Sequence, residues 1–184
     1  RIAGLYMLIF KNQTIFVADA TVNIEPTADD LAEIALLTAE KVKQFNIVPR
    51  IAMLSFSNFG STDHPLAAKV RTAVSLVKQR APHLAIDGEM QADTATMPEI
   101  LSELYPFSSI QGGANVLICP DLTSANIAYK LLKCLGGAVA IGPILMGIRK
   151  PVYLLVPGND VNDIVNITAM AVFESQRQRE ERLA

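Results

Sequence analysis

Short apolar runs repeatedly give way to longer stretches whose apolar residues recur three and four positions apart, and this alternation constrains the chain more than anything else in it. "RIAMLSFS", "LAIDGEM", "ANVLICP" and "PVYLLV" are too short for helices and read as buried strands. "TADDLAEIALLTAEKVKQF", "HPLAAKVRTAVSLVKQR", "MPEILSELY" and "TSANIAYKLLKCL" read as helices. In the first helix Leu31, Ile34, Ala35, Val42 and Phe45 share a face, and Thr27 with Asp30 has the spacing of a capping box. In the second, Pro65 suits the first turn, with Leu66, Val70, Val74 and Val77 expected inward. Strands alternating with helices predict a three-layer αβα sandwich around a mainly parallel sheet. The start, "LYMLIF", "KNQT", "IFVAD", predicts a hairpin that adds an antiparallel edge, and "AVAIGPILMG" is a further small apolar segment. The tail "ESQRQREERLA" reads as a solvated helix end.

With 184 residues, 51% of them hydrophobic and only 6% aromatic, the chain can bury a sizeable aliphatic core. A formal charge of -2 offers no positive field to a nucleic acid or an anionic membrane, so neither partner is expected. No stretch reads as a membrane span or a signal peptide. Cys119 and Cys134 lack metal-ligand spacing and are expected as small buried core residues in a reducing, cytoplasmic setting. The opening "RIAGLYMLIF", with no Met or polar leader, carries the expectation of a piece cut from a longer protein.

Ligands of open α/β sheets collect beyond the carboxyl ends of the strands. One such end, "SFSNFGSTDHP", offers Ser55, Ser57, Asn58, Gly60 and Ser61 to a phosphate or thioester oxygen, or else serves as a polar connecting loop. "DGEMQAD" gathers Asp87, Glu89 and Asp93, suited to acid–base work or a hard metal but more simply exposed. Lys130 lies just past "PDLTSANIAY", where it meets an anion or is a plain surface lysine. His64 reads as a helix-entry residue, and no Ser/His/Asp triad, P-loop or dinucleotide fingerprint is present. No metal site is expected. In "PVYLLVPGNDVNDIV" a strand runs into a helix opening at Asp160, with Asp163 at its third position.

"AMLSFSNFGSTDHPLAAKV", "DGEMQADTA", "GGANVLICPDLTSANIAYKLL" and "GPILMGIRKPV" together resemble the phosphate acetyltransferase and butyryltransferase family over nearly the whole chain. With "YMLIFKNQTIFVADATVNIEP", the chain looks most like the form fused to the C-terminus of bacterial NADP-dependent malic enzymes. The resemblance implies an isocitrate/isopropylmalate dehydrogenase-like fold, with residues 1–142 as an inserted domain and 143–184 returning to another domain. It implies "LSRG" where this chain has Leu155-Val156-Pro157-Gly158; Val156 has no hydroxyl and Pro157 neither guanidinium nor N–H. Loss of that charged donor costs a phosphoryl-transfer transition state a few kcal/mol.

The expectation is therefore a regulatory domain without catalytic residues of its own. Acetyl-CoA is its implied effector, bound by Ser55, Ser57, Asn58, Gly60 and Ser61 with Asn126, Lys130 and Asp163. The resemblance assigns malate decarboxylation, with NADP and Mg or Mn, to a malic enzyme domain of the same polypeptide, and implies a homo-oligomer. A working acetyltransferase and an assembly domain with vestigial binding are the alternatives.

Overall fold

The first two apolar runs form a hairpin, β1 (Ala3–Ile9) and β2 (Thr14–Ala18), as their short polar link predicts. A computed structural model describes residues 1–156 and 158–181. After the hairpin come α1 (Ala28–Gln44), β3 (Arg50–Leu54), α2 (Pro65–Arg80), β4 (Ala85–Met90), α3 (Ala92–Thr96), α4 (Pro98–Leu104), β5 (Val116–Ile118), α5 (Leu122–Cys134), β6 (Val139–Met146) and α6 (Val161–Glu181). The strands form one sheet in the order β4-β3-β5-β2-β1-β6. β4, β3, β5 and β2 run parallel, and β1 is antiparallel to both β2 and β6.

The hairpin was expected at an edge, but β1 is an interior strand and β6 takes the edge. The reason lies in "AGLYMLI", which is apolar at every position, so both of its faces can be buried and both of its sides paired. Residues of "PVYLLV" do not form the expected strand. They meet β6 only through an isolated bridge between Ile144 and Tyr153. Pro143 accepts from Leu154 N–H but has no N–H to return, so the ladder stops there.

Helices cover both faces. One layer packs α1 and α2 on Leu5, Phe16, Ile51 and Ile86; the other packs α3, α4 and α5 on Tyr6, Leu8, Val17 and Leu117. The capping box forms as predicted, Asp30 N–H donating to Thr27 Oγ1 and Thr27 N–H to the Asp30 carboxylate, which holds that carboxyl below its usual range. Leu66 does not point inward: it is exposed because it lies one residue off the stripe of Ala67, Val70, Val74 and Val77. α6 docks on the α1 layer through Ile167, a Phe45–Phe173 ring contact and a buried Lys41–Glu174 ion pair. Pro157 and residues 182–184, the end of the charged tail, lie outside the described residues. No described helix is long and apolar enough to cross a membrane.

Candidate functional site

Asp87 and Glu89 were expected in a loop at a solvent edge, but both sit on β4 and are buried, Glu89 completely. Asp93 is separate from them, in α3. Glu89 Oε1 accepts from Ser57 Oγ at 2.9 Å, Gly60 N–H at 2.8 Å and Arg71 Nη1 at 2.9 Å. Asp87 is met by Lys78 Nζ and by Ser109 N–H, each at 2.9 Å. Gly88 between them has φ +135° and backs onto Met53 O, which a Cβ would approach to 2.6 Å.

The 55–62 loop is wound around Glu89. Asn58 N–H donates to Ser61 Oγ, Thr62 N–H to Ser57 Oγ, and Gln91 N–H to Asn58 Oδ1. Ser55 N–H is taken by Met90 O. Most of the donors that made this loop attractive for an anion are thus engaged by protein acceptors, and the cation at the loop is Arg71, 40% exposed in its side chain. Sequence reasoning passed over Arg71. The available signal was Glu89 itself, since a carboxylate at a buried strand position needs a cation or several donors. His64 does cap α2, its Nδ1 accepting Leu66 N–H.

A second group assembles elsewhere. Tyr6, Tyr129, Lys130, Lys133, Val156 and Asn159 share a cavity of about 240 Å³ between α5, β6 and the turn ahead of α6. Tyr6 and Tyr129 stack with centroids 4.0 Å apart, and burial pushes the Tyr6 hydroxyl well above its usual range. Lys130 Nζ stands 5.4 Å from the Tyr129 ring, and Asn126 lies one turn earlier on α5.

Asp163 is held at the start of α6. Its carboxylate accepts from Asn159 Nδ2 at 2.9 Å and Asp160 N–H at 3.3 Å, with Lys133 Nζ at 3.5 Å, and its N–H donates to Asp160 Oδ1. The Asn159 amide first, then the Asp160 N–H and Lys133, hold its carboxyl below the usual range against the opposing effect of burial. Such a carboxylate caps a helix well and makes a weak general base.

The two groups were expected to face each other. β3 and β6 stand four strand spacings apart in the sheet, about 19 Å, so the 55–61 loop and the Lys130 cavity sit toward opposite ends. Cys134, expected in the core, is exposed because it falls off the face carrying Ala125 and Tyr129; Cys119 is buried, which pushes its thiol up to about 12.

The arrangement is a mixed α/β domain with a lysine-lined cavity beside the turn that leads into α6. The family model for phosphate acetyl/butaryl transferase matches residues 1–172, and the chain belongs to that family. It is 48% identical over 172 residues to an NADP-dependent malic enzyme of Escherichia coli, covering 93% of this chain and 23% of that protein. It is 42% identical over 183 residues to the phosphate acetyltransferase of Clostridium acetobutylicum, covering 96% of this chain and 55% of the other. The crystal structure of a phosphotransacetylase from Streptococcus pyogenes superposes with a TM-score of 0.90 at 42% identity, over 96% of this chain and 54% of that one. The chain thus spans about a quarter of that malic enzyme's length and about half of each transferase's.

Proposed function

We propose that this chain is the acetyl-CoA-sensing part of an NADP-dependent malic enzyme, a transferase-like domain that binds the thioester without turning it over. The observation that carries this reading is Val156: it lines the cavity with Lys130 and Lys133, where the family resemblance calls for a serine hydroxyl. Lys133 is paired with Asp163, so the Lys130 ammonium is the group that attracts the phosphates of CoA, and an apolar wall beside it gives a phosphoryl group in transit nothing to hold. The tied-down Asp163 points the same way. The cavity is smaller than a typical whole-ligand site, so it receives one end of acetyl-CoA. Asn126 extends this wall; in this proposal the other end of the ligand reaches the 55–61 loop through Ser55, Asn58, Gly60 and Ser61, while Ser57 holds the loop from within by its bond to Glu89.

In this proposal residues 1–142 are an inserted domain of the isocitrate/isopropylmalate dehydrogenase-like class, and 143–184 complete another. The dehydrogenase chemistry, with NADP and a divalent metal, belongs to the rest of the polypeptide, and binding shifts its activity to the extent that acetyl-CoA prefers one domain arrangement. Exposed Leu154, Leu155, Val161, Ile164 and Val165 favour an added role in assembly, because so much apolar surface in one segment calls for a neighbour.

The test is calorimetric titration of acetyl-CoA into the protein, with and without phosphate, while free thiol is followed. Binding without thiol release, weakened about tenfold by Lys130→Ala, is expected. Phosphate-dependent thiol release would instead establish a working acetyltransferase, the activity named for the Clostridium relative.

A further inference from the structure

The parallel strands also have an amino-terminal edge, where Thr14 opens β2, Arg50 opens β3 and Val116 opens β5. At this edge, away from both groups described above, a cavity of about 360 Å³ is lined by Gln13, Thr14, Arg50, Thr96, Gly112 and Asn115, among others. Its volume falls within the range of small-molecule sites. At a water molecule's share of roughly 30 Å³ it has room for about a dozen waters, which suits a small molecule better than acetyl-CoA.

Arg50 is the charged residue of this wall. Its Nε donates to Gly113 O at 2.6 Å and its backbone N–H to Asn115 Oδ1 at 2.7 Å, while Asn115 Nδ2 donates to Val48 O at 2.9 Å. The guanidinium is therefore anchored by the carbonyl of Gly113 in the turn ahead of β5, and the Arg50 backbone by Asn115. Among the described residues no carboxylate lies within ion-pair distance of it, although it is half-buried. A fixed, partly desolvated cation without a counter-charge favours an anion. With Nε committed, the Nη1–Nη2 edge remains for the two-point contact that carboxylates and phosphates accept. Gly112 and Gly113 hold φ of +87° and +82°, and a Cβ on Gly112 would meet nothing within 4 Å, so the turn leaves the mouth open.

We propose that this cavity is a second anion site, independent of the acetyl-CoA reading, which takes a small carboxylate- or monophosphate-bearing molecule in two-point contact with Arg50. The experiment is calorimetric titration of the full-length natural polypeptide with succinate and, separately, with inorganic phosphate. Saturable binding of either probe is expected, and which one binds names the source of the oxyanion. Arg50→Met is expected to weaken that binding at least tenfold. Because Arg50→Met also loses the Nε anchor, Gln13→Glu serves as a second variant; it adds a carboxylate to the wall, leaves the anchor intact, and is expected to weaken binding to a similar degree. Acetyl-CoA affinity should be unchanged in both variants. The proposal is overturned if neither probe binds, if binding survives both variants, or if the probes bind this chain alone and not the full-length polypeptide, which would make the cavity a seat for another part of the same protein.

Discussion

At the scale of single residues, Glu89 does more than its position in the sequence suggests. It collects a hydroxyl, a backbone N–H and a guanidinium on one oxygen while remaining fully buried. Glu89→Ala leaves those donors facing a void, so a loss on the order of 3 kcal/mol is expected in urea unfolding. Gly88→Ala is expected to cost more than about 1 kcal/mol in the same measurement, through positive φ and the approach to Met53 O. Asp163 makes a pH-dependent contribution. Its folded-state pKa lies below the unfolded value of about 3.9, so its stabilisation is complete above that value and is lost as pH falls through the folded pKa. The stability gap between the parent and Asp163→Asn should be full from about pH 5 upward and shrink as pH falls below about 4. Of this, the sequence disclosed Asp163 as a helix-start carboxylate, because capping depends on spacing alone. Glu89 with Arg71 stayed hidden, since the two meet across β4 and α2 and no local pattern joins them.

Among the elements, α6 illustrates how a polar contact can fix a docking position. Lys41 and Glu174 are both buried, their charged atoms are 2.5 Å apart, and Tyr153 adds its hydroxyl to Glu174 from the segment ahead of the helix. Removing one partner strands the other, so Lys41→Met is expected to cost roughly 3–5 kcal/mol by chemical denaturation. Adding Glu174→Leu should recover most of that loss. The helices and most strands were legible because hydrophobic period and caps are local: Thr27 with Asp30 and the Val70, Val74, Val77 stripe stand where their spacing puts them. The order of strands was not legible. Whether "LYMLIF" lies at an edge or inside depends on what arrives beside it, and β6, which arrives there, read only as a small apolar segment with a proline in its middle.

For the whole molecule, ligand binding and folding are linked. A ligand that binds only the folded state at a hundred times its Kd adds about 2.7 kcal/mol, which for a domain of this size raises Tm by about 5–10 °C. Thermal melts with acetyl-CoA at that excess should show the shift, and Lys130→Ala should shrink it at the same ligand concentration. The placement of β1 has another consequence, which concerns synthesis on the ribosome. Leu5 pairs with Ile144, so β1, once made, lacks one of its two neighbours until β6, the last described strand, has emerged. At about 5–20 residues per second the wait is roughly 7–28 s, during which a strand apolar on both faces has one bare edge. A chain terminated after Ala138 never closes that edge, and is expected in the insoluble fraction when expressed beside the intact chain.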